Sequence, residues 1–169
     1  MPLYADGLKK IRRNLIEGQN GRRPRVTKVG FFTPEQLLLI NEARRSMGFS
    51  ELEPVIVFHG AHLYNSRCVE NGYTIDQVLV QIESAFSENS AVDSSRPSVV
   101  IRNPDKRTDD NGVQVNDEVV FECTGRHPYA DLYSVIPRGD GRPKPKNKKG
   151  TSPIEGGQDL QNAKGPLEE

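Results

Sequence analysis

Apolar residues recur at helical spacing in three segments of this chain. Residues 8–17 place an apolar stripe opposite basic side chains, which predicts a short amphipathic helix. Two further helices begin with a threonine followed three residues later by a glutamine, at Thr33–Gln36 and at Thr74–Gln77. This spacing is typical of a capping box, in which the two side chains bond the first free N–H groups. On the helix after Thr33 the predicted buried positions are Leu37, Leu38, Ile40, Ala43 and Met47.

Beyond residue 95 the pattern changes to short runs of β-branched and aromatic residues. Asp109–Gly112 is typical of a hairpin turn, and an earlier apolar run at 55–58 also has strand character. The predicted strands of the later region are 98–102, 113–115, 118–123 and 132–136. Helices followed by strands on short turns predict an α+β fold. We expect N-terminal helices packed on a four-stranded antiparallel β-sheet arranged as a meander.

Charge divides the chain into three parts, although the formal net charge is zero. Residues 1–30 hold eight Lys or Arg and two acids, whereas residues 31–137 hold eight Lys or Arg and sixteen acids. We therefore predict a basic N-terminal arm with a short helix (1–30), an acidic α+β body (31–137) and a C-terminal tail (138–169). The tail is basic and then acidic, and its few apolar residues predict disorder.

The composition also excludes several classes of protein. Cys68 and Cys123 are too few for a disulfide framework and lack metal-ligand spacing. The pair His59 and His62 has no second pair of ligands at a matching distance, so no metal is predicted. No apolar run is long enough to span a membrane, and the first residues lack a secretory signal. We therefore expect a cytoplasmic protein that needs no cofactor and no membrane.

The apolar run 55–58 leads directly into a segment that holds His59, His62, Ser66 and Arg67. Imidazole exchanges protons near neutral pH, and guanidinium binds phosphate through a planar fork of donors. Together with a hydroxyl, these groups are the components of phosphoryl chemistry without a metal. The alternative is a surface loop whose polar side chains bond to the backbone.

A second imidazole and guanidinium, His127 and Arg126, occupy the predicted turn between two strands. Glu122 lies on the strand that enters this turn, and Ser134 lies on the strand that leaves it. If the turn meets the His62 segment, the groups suffice to cleave RNA through its own 2′-hydroxyl. A base takes the 2′ proton, an acid protonates the leaving 5′ oxygen, and arginine stabilises the phosphorane. The structural alternatives are a polar turn, an ion pair for the glutamate and a cross-strand hydrogen bond for the serine.

The same segments belong to a series of short motifs. They are GAHLYNSR at 60–67, GYT at 72–74, QI at 81–82, QVND at 114–117, FECT at 121–124 and LYSVIPRGD at 132–140. Together they resemble a domain of phage-derived and polymorphic-toxin proteins, within the nuclease-like superfamily that groups barnase, EndoU, colicin-type tRNases and RelE. The resemblance covers about residues 55–145.

This resemblance implies helices on a four-stranded antiparallel sheet and metal-independent RNA cleavage by a toxin or phage-derived effector. Carried over by position, the candidate residues are His62, Ser66, Arg67, Glu122 and Arg126. We therefore predict an endoribonuclease, a hydrolase-like enzyme that acts on RNA, with tRNA as one candidate substrate and a cognate inhibitor protein as a further partner. The predicted catalytic residues are His62, Arg67, Glu122 and Arg126. The predicted substrate-binding residues are Ser66, His59, His127 and Ser134.

Two other functions fit the charge pattern. The basic arms suit a non-catalytic module that binds nucleic acid or protein, because Lys and Arg bind polyanions without reading sequence. The acidic body suits instead a partner that neutralises a basic protein, and it departs from the basic surface expected of a ribonuclease. Convergence of His62, Arg67 and Arg126 in one cleft would favour the enzyme, and scatter of the three would favour binding.

Overall fold

The computed structural model describes residues 3–94, 98–124 and 126–139. Within these ranges the chain alternates helices and strands before it ends in a run of strands. In chain order the elements are α1 (Gly7–Gln19), β1 (Thr27–Phe31), α2 (Pro34–Ser46), β2 (Val55–Phe58), α3 (Ala61–Leu63), a π-helical segment (Tyr64–Glu70), α4 (Ile75–Ala85), β3 (Ala91–Asp93), β4 (Val99–Arg102), β5 (Arg107–Thr108), β6 (Gln114–Glu122) and β7 (Ala130–Gly139).

The strands of the described ranges form one seven-stranded mixed sheet. Its order is β1-β2-β7-β6-β4-β3, and β5 also pairs with β6. β2 and β7 run parallel, whereas the other pairs are antiparallel. The prediction of an α+β fold is therefore confirmed, but the prediction of a four-stranded antiparallel meander is wrong.

The sheet differs from the prediction for three physical reasons. The predicted strands 113–115 and 118–123 are one strand, because arginines pair with the buried carboxylates between them and keep the ladder intact. β1 begins within the basic segment 1–30, which the charge pattern predicted to be an arm with a short helix and no strand. The parallel pairing of β2 with β7 joins segments that are far apart in sequence, and no turn signal marks such a crossover.

The predicted helix starts and the hairpin turn are confirmed. At each capping box the threonine hydroxyl accepts from the glutamine N–H and the glutamine side chain accepts from the threonine N–H, both for Thr33 with Gln36 and for Thr74 with Gln77. The hairpin between β5 and β6 turns at Asp109–Gly112, where Gly112 has a φ of 79°. Local sequence is sufficient to predict these features because the groups that bond to one another lie within four residues along the chain.

The buried side of α2 differs from the prediction at Leu38, which is 59% exposed. The helix instead turns Asn41 inward, because its side-chain amide bonds both the N–H and the carbonyl of Leu52. Arg44 is also buried and donates to the carbonyl of Ser50 at 2.7 Å. Polar side chains that hold the following loop thus decide the rotation of this helix, which an apolar pattern does not reveal.

α1 and α4 pack together, and α4 lies against β6 and β7. Ile11 and Leu15 of α1 are fully buried, as is Phe121 of β6. The basic N-terminal segment 1–30, predicted as an arm, thus contributes α1 and β1 to the fold. The predicted tail 138–169 lies outside the described residues, apart from Arg138 and Gly139, which end β7. Among the described residues, no helix is both long and apolar enough to cross a membrane.

Candidate functional site

The segment that carries His62 and Arg67 begins at a tightly packed turn after β2. Gly60 has a φ of 92°, in the left-handed region that favours glycine. A Cβ at this position would approach the Phe58 ring to 3.2 Å and Asn14 to 3.3 Å. Asn14 in turn donates to the carbonyls of Phe58 and Arg25. The end of β2 and the start of the next helix are therefore held against α1.

From Ala61 the chain forms the short helix α3, which continues as the π-helical segment Tyr64–Glu70. π-Helical turns are rare in proteins and occur frequently at functional sites. Their hydrogen bonds join residues five apart, so Arg67 follows about one turn after His62. α3 and the π-helical segment both contact β7. This helix was not predicted, because its apolar spacing is not that of an α-helix.

His62 stacks flat on Tyr133 of β7. The ring centroids lie 3.9 Å apart and the ring planes differ by 10°. Tyr133 is the extra residue of a β-bulge, since Val120 pairs with Ser134 and Phe121 pairs with Leu132. β-Bulges redirect side chains and are frequent next to active sites. This bulge provides the surface that orients the imidazole.

The environment of His62 lowers its pKa below the ordinary histidine range. Partial burial of the ring is the main cause, and the positive charge of Arg67 acts in the same direction. The negative charges of Glu122 and Glu70 oppose this shift. Because the neutral form is favoured, His62 is suited to accept a proton at neutral pH.

Arg67 is half-buried, and its Nε is buried without a hydrogen-bond partner. Burial and then the nearby charge of Arg138 lower the pKa of this guanidinium, against the opposite effects of Tyr73 and Glu70. Arg138 itself lies 3.3 Å from a carboxylate oxygen of Glu118. Two arginines are thus close enough for the charge of one to act on the other. Guanidinium groups are the side chains best suited to bind phosphate.

A pair of carboxylates lies at the neighbouring end of β6 and β7. Glu122 and Asp131 are register partners across the two strands. Burial is the main cause that raises the pKa of Asp131, and the charge of Glu122 raises it further. His59 and His127 lower it through their charges, and the backbone of His59 also bonds this carboxylate. All three histidines of the chain therefore act on one carboxylate pair, because His62 responds to Glu122.

The remaining predicted residues lie around the Glu122 and Asp131 carboxylates and make fewer contacts. Arg126 is exposed in the turn after β6, where its backbone N–H donates to the Thr124 hydroxyl at 3.3 Å. His127 accepts from the Tyr129 N–H through its Nδ1 at 3.2 Å, so a neutral His127 carries its proton on Nε2. Ser134 is buried directly after the bulge residue, and Ser66 is half-buried one residue before Arg67.

The structure thus brings Arg67 and Glu122 each into electrostatic range of His62. It places His59 and His127 in electrostatic range of Asp131. It shows no contact between the Arg126 side chain and His62. Sequence reasoning missed five residues of the cluster, namely Glu70, Tyr73, Asp131, Tyr133 and Arg138. Asp131 could have been found, because a hairpin between the strands at 118–123 and 132–136 puts the residue before the second strand opposite Glu122. Tyr133 could not have been found in this way, because a β-bulge leaves no mark in the pattern of apolar and polar residues.

Within the described ranges, no group of three or more His, Cys, Asp or Glu side chains has an arrangement that could hold a metal ion. Comparisons with protein-family models, with curated proteins and with solved structures give no match to this chain.

Proposed function

We propose that this protein is a metal-independent endoribonuclease that cleaves RNA by attack of a 2′-hydroxyl on the adjacent phosphodiester. The observation that carries the proposal is the placement of His62. Its imidazole lies flat on Tyr133 with a pKa lowered toward the neutral form, about one helical turn from a guanidinium whose Nε–H lacks a partner. In this proposal His62 is the base and Arg67 is the phosphate ligand.

The reaction assigns one role to each group. Neutral His62 takes the proton of the 2′-hydroxyl as the new bond forms between the 2′ oxygen and phosphorus. Arg67, supported by Arg138, stabilises the negative charge of the phosphorane. The bond from phosphorus to the 5′ oxygen then breaks, and the leaving oxygen takes a proton from the pair of Glu122 and Asp131. This pair suits an acid because neighbouring carboxylates favour retention of a proton by one of them, in keeping with the raised pKa of Asp131.

The other predicted residues act on the substrate around the reacting phosphate. Ser66 offers a hydroxyl beside Arg67, and His59 and His127 act on Asp131. Ser134 is buried, so it would support the neighbouring Tyr133 and not contact RNA itself. Arg126, exposed at the end of the hairpin, is placed to bind a flanking phosphate of the RNA chain. Structured RNA such as tRNA is the substrate class that we favour. A toxin or phage-derived effector of this kind would have a cognate inhibitor protein as its partner.

The test is RNA digestion in the presence of EDTA, with a tRNA pool and an unstructured RNA as substrates. His62→Ala is expected to lower the cleavage rate by about 10²–10⁴-fold, because a positioned acid or base contributes that much. Val69→Ala is the matched control, since Val69 lies on the same π-helical segment and is 60% exposed. Products with a 2′,3′-cyclic phosphate are expected, and RNA with a 2′-deoxy residue at the cleaved position stays intact. Equal cleavage by His62→Ala, or intact RNA with the wild-type protein, would contradict the proposal.

Exposed arginines favour a second function, the binding of RNA without cleavage. Arg22, Arg23 and Arg25 are exposed between α1 and β1. Changing all three to Gln is expected to weaken RNA binding uniformly across sequences. The slope of log K against log salt would become less steep by about 2, since each phosphate contact on a single strand contributes about 0.7. Fluorescence anisotropy at several salt concentrations measures this slope. An unchanged slope would show that these arginines do not contact RNA.

A further inference from the structure

Exposed apolar side chains are concentrated on α2. Among the residues that the structure describes, seven large apolar side chains are exposed, and three of them lie in α2 or just after it. Leu38 and Leu39 are each 59% exposed, and Phe49 is 39% exposed. Single apolar residues are normal on a protein surface, whereas a group of them marks a site of interaction. α2 is thus a candidate interaction surface that takes no part in the proposed cleavage.

The two leucines face outward because polar contacts hold the other side of α2. Asn41 and Arg44 are buried and bond the loop that follows the helix, and Ile40 is buried with them. In a helix, residues three or four positions apart share a face. The exposed positions of α2 at this spacing are Glu35, Leu38, Leu39, Glu42 and Arg45.

The charges of this exposed face complement a second copy of the same helix. Glu35 lies in the first turn of α2 and Arg45 lies in the last turn. When two copies lie antiparallel across a two-fold axis, the first turn of each meets the last turn of the other, and two pairs of opposite charge form. Arg45 also pairs with Glu51 of its own chain, but these side chains are 50% and 54% exposed. Such a pair is weak, and a guanidinium has donors for a second carboxylate.

The same arrangement brings the exposed leucines together. Pairing Glu35 with Arg45 of the second copy places the axis at the level of residue 40. With a rise of about 1.5 Å per residue, the two copies of Leu38 lie about 6 Å apart along the helix direction, and those of Leu39 about 3 Å apart. Packed helices are separated by about 8–10 Å, so these side chains meet across the axis. Glu42 opposes the pairing, because its two copies also lie about 6 Å apart along this direction.

We infer that α2 is the interface of a homodimer in which two copies of the helix pack antiparallel across a two-fold axis. A second copy suits this face better than a purely basic or purely acidic partner, because the face carries opposite charges at its two ends. α2 has 13 residues and is about 20 Å long. A strip of roughly 20 by 10 Å is smaller than the about 800 Å² per partner of stable complexes. Association is therefore expected at roughly tens to hundreds of micromolar.

The first test is sedimentation velocity of the full-length protein at about 5–500 µM, the range that such a small interface calls for. Leu38→Lys is expected to weaken dimerisation at least about tenfold, because each dimer loses two buried leucines. Val80→Lys is the matched control, since Val80 is 48% exposed on α4, and it should change the affinity less than about twofold. Both positions are exposed, so both variants should keep the wild-type melting temperature.

Two outcomes of this test would overturn the inference. A wild-type protein that stays monomeric at every concentration would leave the face to a partner other than a second copy. A dimer that Leu38→Lys leaves unchanged would place the interface on another surface.

Glu42 tests the level of the axis. Glu42→Gln is expected to tighten the dimer by about twofold, because it removes a like-charge pair close to the axis. Weaker association of this variant would contradict the proposed arrangement of the two helices.

The second experiment exchanges charges between the two ends of α2. Glu35→Arg and Arg45→Glu should each weaken the dimer about tenfold, because either change turns both interchain pairs into like charges. An equal mixture of these two variants should associate as tightly as the wild type, since positions 35 and 45 of the two chains again carry opposite charges. A mixture of Glu35→Arg with Lys9→Glu has the same net charges and is the control, because Lys9 is exposed on α1. Equal association in the two mixtures would overturn the inference.

Discussion

Two charged regions of this protein use the same residue types in opposite ways. In the middle of β6 the carboxylates of Asp117 and Glu118 are 0% and 4% exposed, and arginines meet both of them within 2.9 Å. In the region around His62, by contrast, the Nε of Arg67 is buried without a partner. The first region neutralises its charges within the protein. The second keeps a buried donor without a partner, and this difference separates a structural ion pair from a candidate site.

The comparison teaches that residue type alone does not assign a role. Arg107 and Arg67 are both partly buried arginines, yet Arg107 donates two hydrogen bonds to Asp117, whereas the Nε of Arg67 has no hydrogen-bond partner. Their pKa values shift in opposite directions for this reason. The hydrogen bond that Arg107 donates to Asp117 is the main cause that raises the pKa of Arg107, and burial is the main cause that lowers that of Arg67.

The largest expected difference between the two regions is in the free energy of unfolding, when Arg107 or Arg67 is replaced by Met. Arg107→Met leaves the Asp117 carboxylate buried without its partner and is expected to lower the free energy of unfolding by about 3–5 kcal/mol. Arg67→Met removes an unpaired group and is expected to cost less than about 1 kcal/mol. Urea denaturation of both variants measures the two values. Similar losses at the two positions would show that Arg67 is a structural residue.

A double variant serves as the control for this contrast. Replacing Asp117 by Leu in the Arg107→Met background removes the uncompensated carboxylate, so much of the lost stability should return. If stability falls further instead, the cost of Arg107→Met comes from lost packing and not from the buried charge.

For RNA cleavage the larger effect is expected at Arg67, the reverse of what is expected for stability. We expect Arg67→Met to lower the rate of RNA cleavage by about 10²–10³-fold, the effect typical of removing one donor that stabilises the transition state. Arg67→Lys keeps the charge but loses the planar fork of donors, so it should recover only part of the rate. Initial rates with a single defined RNA measure both effects. Full activity of Arg67→Met would remove this residue from the proposed mechanism.

The smallest expected effects are opposite shifts in the pH dependence of cleavage. A base must be unprotonated, so the lowered pKa of His62 should extend the proposed cleavage to pH values below the ordinary histidine range. Glu122→Gln removes a charge that raises this pKa, so the acid limb of kcat/KM should move to lower pH. Arg67→Met removes a charge that lowers it, so the limb should move to higher pH.

Glu88→Gln, at an exposed position outside the cluster, is the control for a general effect of charge. It should leave the acid limb unchanged. Shifts of the same sign in Glu122→Gln and Arg67→Met would mean that the limb reports a group other than His62.

Local sequence was sufficient where the interacting partners are close along the chain. The capping boxes at Thr33 and Thr74 and the turn at Asp109–Gly112 were all predicted, because each depends on residues three or four positions apart. The α+β class followed from the change of hydrophobic period near residue 95. Leu38 marks the limit of this reasoning, since the rotation of α2 depends on bonds from Asn41 to a loop eleven residues away.

The sequence by itself determined the chemical groups of the candidate site, because His62, Arg67 and Glu122 were singled out by residue type and position. Only the tertiary structure decided how they are arranged. The parallel pairing of β2 with β7, the bulge at Tyr133 and the π-helical segment join parts of the chain separated by tens of residues. Such contacts depend on the packing of the whole sheet, which leaves no periodic signal in the local pattern. For the same reason, Arg107 and Arg67 differ in their bonding partners and not in residue type. Arg107 pairs with Asp117, whereas the Nε of Arg67 is buried without a partner.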